Sequence, residues 1–216
     1  MRTLAKVIGS VAIAAGIWLG ASDARADARP LTKAELERLE HGETVVREQT
    51  VPTVDGDSHL VGGVAYTIVD AAPDEVLSLF ADEAAYMQIL PRTKNVRRVA
   101  QDGPDDEHVE ITQGNSVVST SYTLHVRKYA RENTVRFWMD PAYAHGIDDA
   151  WGFVRAESIP TASGAPRTLV TYGALVDIGP GIVRALYEER LRAAMLSVPQ
   201  LLRAYVARTS RAAHRA

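Results

Sequence analysis

Between about Gly181 and Arg208, apolar side chains recur at Ile182, Val183, Leu186, Tyr187, Leu191, Ala194, Met195, Val198, Leu201, Leu202, Tyr205 and Val206. Steps of three and four residues place them on one face of a long α-helix. Arg184, Glu188, Glu189, Arg192, Arg203 and Arg208 fall mostly on the other side. Gly179-Pro180-Gly181 ends whatever precedes the helix, because Gly and Pro stop a strand. Pro199 removes the bond to the carbonyl of Met195 and predicts a kink. A helix with so long an apolar face needs a large apolar surface to lie on.

The middle of the chain is built to supply that surface. Leu60 to Val69 reads as a strand from its β-branched content, and Gly62-Gly63 marks a bulge or a close backbone approach. Pro73, followed by Asp74 and Glu75, opens a short helix that buries Val76, Leu77, Leu79 and Phe80. A second short helix, about Asp82 to Ile89, carries Tyr86 and Met87 and stops before Pro91. Next come Asn95–Ala100, His108–Gln113, Ser116–Tyr129, Thr134–Asp140, Asp148–Ser158 and Arg167–Asp177, joined by links rich in Gly, Asn or Asp. These read as antiparallel hairpins. Alternation sets Val118, Tyr122, Leu124 and Val126 on one face, opposite Ser119, Ser121, Thr123, His125 and Arg127. Val135, Phe137 and Met139 go together in the next strand, then Trp151 and Phe153, then Val170, Tyr172, Ala174 and Val176. An inner face rich in aromatics and hydroxyls suits a cavity with a few polar anchors.

Residues 1–26 read as a signal peptide. Arg2 and Lys6 precede an apolar run from Val7 to Ala21, and Ala24-Arg25-Ala26 matches a small-x-small cleavage site. The run is short of the roughly 20 residues that span a bilayer. The expected location is periplasmic or secreted, with cleavage after Ala26. The chain has no Cys, which excludes disulfides and a lipidated N-terminal cysteine. Residues 27–58 form an N-terminal helix, capped by Thr32 with Glu35 and carrying Leu36 and Leu39 on one apolar edge, then an extended segment. Residues 59–208 form the main domain and 209–216 a basic tail. A formal net charge of −3 argues against a nucleic-acid partner, which rewards a basic face. After Glu189 every charged residue is an arginine. This predicts either a solvated helix face or transient contact with an anionic membrane surface.

The order of strand, two short helices, antiparallel strands and long C-terminal helix resembles the helix-grip fold. The segments Asp70-Ala71-Ala72-Pro73-Asp74-Glu75-Val76, Phe80-Ala81-Asp82 through Tyr86 to Leu90-Pro91, and Asn95-Val96-Arg97-Arg98-Val99 carry the likeness. Trp151, Thr168-Leu169-Val170-Thr171-Tyr172 and Ser197-Val198-Pro199-Gln200-Leu201-Leu202 extend it to about Leu60–Val206. The chain is similar to the START/Bet v 1-like (SRPBCC) superfamily, in particular its polyketide cyclase/coenzyme Q-binding group. The resemblance implies an α+β fold in which seven strands grip the long helix around an apolar cavity. It implies the activity poorly, since such folds host binders, transfer proteins and cyclases.

No Gly-x-Ser-x-Gly elbow or phosphate loop is present, so no catalytic residue, cofactor or metal is assigned. The loop Tyr143-Ala144-His145-Gly146-Ile147-Asp148-Asp149 gathers an imidazole and two carboxylates and reads as a solvated turn. His41, His59, His108, His125 and His214 are isolated in sequence and read as exposed; Asp102, Asp105, Asp106 and Glu107 read as an acidic hairpin tip. The expected function is burial of a hydrophobic small molecule such as a lipid, isoprenoid or polyketide, lined by Tyr86, Tyr122, Phe137, Trp151, Phe153, Tyr172, Leu186 and Met195. A cyclase or hydratase in the same cavity, and an interaction module without a ligand, are the alternatives.

Overall fold

The computed structural model describes residues 29–53, 59–116, 119–162, 164–179 and 182–213. The signal peptide expected at residues 1–26 and His214 therefore lie outside the described residues. Eight strands form one curved antiparallel sheet: β1 Val45–Pro52, β2 His59–Val69, β3 Thr93–Gly103, β4 Asp106–Gly114, β5 Ser119–Tyr129, β6 Thr134–Met139, β7 Asp149–Ser158 and β8 Thr168–Asp177. Their order in the sheet is β1-β2-β8-β7-β6-β5-β4-β3. Hairpins join every neighbouring pair except β2 and β8. The chain leaves β2 through α2 Pro73–Ser78, a 3₁₀ turn Leu79–Ala81 and α3 Glu83–Ile89 to reach the far edge. The architecture is a helix-grip α+β fold.

The extended segment before Pro52 is part of the sheet. It pairs along its whole length with β2, from Val45 opposite Tyr66 to Pro52 opposite His59, which makes eight strands where the resemblance implied seven. Gly62 and Gly63 lie in this pairing with φ of +156° and +148°. A Cβ on Gly62 would stand 1.9 Å from the Ala174 carbonyl oxygen, and one on Gly63 2.1 Å from that of Arg47. Close backbone approach on both flanks is thus what the two glycines permit.

The C-terminal helix is divided. α4 Ile182–Leu196 and α5 Val198–Ala213 meet at Ser197, whose hydroxyl donates to the Ala194 carbonyl at 2.6 Å. Pro199 falls in the first turn of α5, where a missing N–H costs little. Helix α5 also runs past Arg208, so the supposed tail begins inside it. Both helices lie against β2 and β8. Arg192 on α4 is buried rather than solvated. It meets Glu188 at 2.9 Å, Glu189 at 2.8 Å, and Glu48 and Thr50 of edge strand β1 at 3.5 and 3.1 Å. A buried guanidinium is tolerable because its charge is matched and most of its donors are used.

Two apolar clusters result. The larger lies between the inner sheet face and helices α2, α3 and α5. The smaller is on the outer face, where α1 Lys33–Glu40 presses Leu39 onto Val45, Val64, Tyr66 and Ile68. Leu36, expected on the same edge, is 45% exposed, since α1 touches the sheet along a single line. The capping box at Thr32 and Glu35 forms as expected, and Arg47 of β1 grips both oxygens of Glu35 at 3.0 and 2.8 Å.

That grip, with the Thr32 backbone N–H, pulls the Glu35 carboxyl from 4.5 to about 2. A depressed native value means stability present above about pH 4.5 and lost as pH falls toward 2. Glu35→Gln should flatten that part of the stability-versus-pH curve in denaturant titrations; an unchanged acid limb would refute the role assigned to the pair.

Candidate functional site

Between the inner face and the divided helix the packing leaves a cavity of about 260 Å³. Its depth is set by small residues. Ala150, Gly152, Val154 and Ala156 of β7 point inward, opposite Val176, Ala174, Tyr172 and Val170 of β8. At Gly152 even a Cβ would meet the Phe137 ring at 2.4 Å, so the phenyl group lies directly over the strand. Ala150, Ala174 and Val176 line the cavity floor, with Ile111 and Leu124 from β4 and β5. Leu191, Ala194, Met195 and Val198 close it from the helix side. Exposed Arg92, Ser119, Tyr187 and Arg190 among the lining mark its mouth.

Three inner phenols, with Gln113 and Thr120, give the cavity its polarity, and the fourth lining phenol, Tyr187, is at the mouth. Tyr86 on α3 donates to the Phe80 carbonyl at 2.8 Å, and the two rings meet edge to face. Tyr122 donates to Gln113 Oε1 at 2.6 Å, and Gln113 in turn donates to the Pro91 carbonyl at 3.0 Å. Tyr172 stacks beside Phe137, with ring centroids 6.2 Å apart. Its hydroxyl has no hydrogen-bond partner among the described residues, although the residue is only 6% exposed. Burial pushes all three phenols well above their ordinary range, so each stays a neutral donor and none serves as a base near neutrality.

At the mouth the backbone is unusual. Arg92 adopts a left-handed conformation, φ +57°, which is uncommon without glycine or asparagine. Gly114 N–H holds its carbonyl at 3.0 Å, and Gln113 holds that of Pro91. The turn from α3 into β3 is thereby fixed and carries an arginine to the rim. Arg92 and Arg190 have no carboxylate partner among the described residues. Arg192, Arg203 and Arg208 are engaged instead, with the α4 carboxylates, the Gly42 carbonyl and Gln88 respectively.

Of the residues expected to line the cavity, Tyr86, Tyr122, Phe137, Tyr172 and Met195 do so. The side chain of Leu186, like Val118, lies outside the described residues. Trp151 and Phe153 stand on the outer face. Their alternation is as expected, but its phase is inverted: Gly152 between them and Val154 after them are the inward residues. Phe153 covers Gly173 there, and Trp151 is opposite Trp138. Leu90, Pro91, Arg92, Gln113, Ala150 and Arg190 escaped the sequence reading, while Ala174 and Tyr187 were placed on apolar faces but not in the cavity lining. The available signal was the run of small residues at 150, 152 and 174, since a cavity needs missing volume as much as aromatic walls.

The two polar loops changed places. In the 143–149 loop, His145 Nδ1 meets the Ile147 carbonyl and Asp149 accepts from the Ala150 N–H, each serving its own turn. His108 and His125, read as isolated and exposed, are instead cross-strand neighbours, with Trp138 next in the row. They face the acids of the supposed hairpin tip on the outer side of the sheet. Asp102 meets His108, and Asp106 meets His125 and Arg127, whereas Glu107 points to the opposite face, where it meets Arg98 beside α3.

No family model matches the chain, and no curated protein matches it in sequence. Solved structures do match in shape. A STAR-related lipid transfer protein of Xanthomonas axonopodis is similar at TM-score 0.56 and 18% identity, over 76% of this chain and 92% of the other. A protein of Thermus thermophilus is similar at 0.53 and 16%, over 68% and 97%. An aromatase/cyclase of a Streptomyces species is similar at 0.52 and 17%, over 79% and 98%. The chain shares the helix-grip fold of these structures. At these identities the likeness is one of fold.

Because Trp151 is outside the cavity, Trp151→Ala should leave uptake of a hydrophobic probe unchanged while costing about 1–3 kcal/mol of stability. Tyr122→Phe, which leaves the Gln113 oxygen without its donor, should cost about 1 kcal/mol. Probe titration and denaturant unfolding of both variants read the contrast directly.

Proposed function

We propose that this protein is an exported binding or carrier protein for a hydrophobic small molecule held between the sheet and the divided C-terminal helix. The observation that carries this reading is a mainly apolar cavity with one phenol, Tyr172, that lacks a protein partner among the described residues. Burial would supply the affinity, about 0.8 kcal/mol for each CH₂ removed from water. The Tyr172 hydroxyl would then orient whichever polar group the ligand carries. The volume, about 260 Å³, is just below the roughly 300–1,000 Å³ of pockets for drug-sized ligands. It favours a single chain or a small ring system, such as an isoprenoid or polyketide fragment, over a two-chain lipid. Structural neighbours named as a lipid transfer protein and as aromatase/cyclases support a hydrophobic ligand of this kind. Export rests on the charged start, apolar run and small-x-small site of the first 26 residues, and a mature chain beginning at Asp27 would establish it.

Cyclase-type chemistry in the same cavity is the second reading. The Tyr122–Gln113 pair and the aromatase/cyclase neighbours favour it. Against it, the described lining residues include no carboxylate or imidazole to act as a base, and Gln113 does not titrate. A filled core would have favoured a ligand-free interaction module.

Native mass spectrometry of the mature protein, followed by organic extraction, tests the proposal. A co-purifying or added amphiphile should bind at one per chain. Tyr172→Phe should weaken it roughly fivefold, the equivalent of about 1 kcal/mol for one hydrogen bond, and Ala174→Phe should abolish it by filling the floor. Binding unaffected by Ala174→Phe would place the ligand elsewhere and overturn the assignment.

A further inference from the structure

On the outer face of the sheet, away from the cavity, three strands bring together a donor set that the ligand-binding reading does not use. His108 of β4 and His125 of β5 are directly paired, their rings 4.3 Å apart, and Trp138 of β6 packs on the other side of His125 at 4.3 Å. Asp140 follows β6. Its Oδ1 accepts from the Ala142 N–H at 2.9 Å, and its Oδ2 meets His108 Nδ1 at 2.7 Å. One ligand atom from each of His108, His125 and Asp140 lies within 4.8 Å of the other two. We propose that these three residues form a binding site for a divalent first-row transition ion, with zinc as the natural probe.

The second layer supports this reading. Asp102 holds His108 Nε2 at 3.1 Å, and Asp106 holds His125 Nε2. Metal-bound imidazoles characteristically give their remaining N–H to a carboxylate, which orients the ring and makes the ligand nitrogen more basic. Here each imidazole has such a carboxylate already in place. His108 then offers Nδ1, on the side of Asp140, and His125 has Nδ1 left to offer. Asp106 is itself fixed by Arg127, whose guanidinium also lies over Trp138. The packed rings and the Ala142 turn restrict these side chains, so binding would require the two imidazoles to turn toward a common point but not to be ordered from a free state.

The donor types select the ion. Two imidazoles and one carboxylate suit zinc or iron(II), whereas calcium and magnesium take oxygen ligands. Bonds of about 2.0–2.2 Å require ligand atoms roughly 3.3 Å apart, so His108 and Asp140, at 2.7 Å, need to open by about 0.6 Å, and a pair at the 4.8 Å limit would close by about 1.5 Å. Three protein ligands leave a further position for water. Three carboxylates against one nearby arginine also make the place favourable for added positive charge. The ion would clasp β4 and β5 to the segment after β6.

Zinc titration of the full, chelator-washed chain against a competing chromophoric chelator tests the site. One ion per chain is expected, with binding weakened at least tenfold in both His125→Ala and Asp140→Asn. His41→Ala and His145→Ala should bind as the parent does, and calcium should not compete. Zinc should also raise the Tm of the parent and not of His125→Ala. Far-UV circular dichroism checks that each variant is folded. If a variant is not, histidine ring NMR of the unaltered protein replaces it, and two of the six imidazoles should shift with saturating zinc. Absence of stoichiometric zinc binding, binding indifferent to both substitutions, or shifts in other imidazoles would each overturn the proposal. Ligand uptake by the cavity is independent of all these outcomes.

Discussion

A β-strand can present a given side chain to one side of its sheet only, and that alternation governs this molecule more than any single contact. Both faces of the sheet are in use. The inner face supports the divided helix and frames the cavity, while the outer face carries the row His108, His125, Trp138 and Trp151 across four strands. On β7 the small residues go inward and the large ones outward. A shift of one residue there would drive Trp151 and Phe153 into the cavity and fill it. The register of β7 against β8, continuous from Asp149–Asp177 to Ser158–Thr168, is therefore what makes an interior space available.

Much of the fold was legible for the same reason. The helical period near the C-terminus, the Pro73 helix start, the Thr32 cap and the spacing of the hairpins are local signals, and each element formed where its residues predict. The phase of β7 was not legible, because Trp-Gly-Phe-Val-Arg-Ala alternates equally well either way. Only pairing with β6 and β8 decides it. The histidines were hidden for a related reason: residues 108, 125 and 140 are far apart in sequence and meet only through two hairpin registers. The break at Ser197 was anticipated as a kink at Pro199. A proline is comfortable in a helix's first turn, so the chain placed the boundary ahead of it.

The cavity itself is a thermodynamic statement. In cores where large side chains are cut back, destabilisation grows by roughly 24 cal/mol for each Å³ of void left. A space of about 260 Å³ is far larger than such a void; its open mouth lessens the cost below what that rule gives for a sealed one, but the lining still forgoes packing contacts. The cost could be removed by a few larger residues at Ala150, Ala174 or Ala194, positions with neighbours able to accept them from the cavity side. The sequence keeps alanine at all three. It also keeps a left-handed arginine at the rim and a phenol without a partner among the described residues. The unfilled volume and the lone phenol are locally unfavourable, and both are relieved when a molecule with an apolar body and a polar group occupies the space. The two features that weaken the domain alone are the ones a bound ligand would repair, which is why the proposed function lies in this cavity.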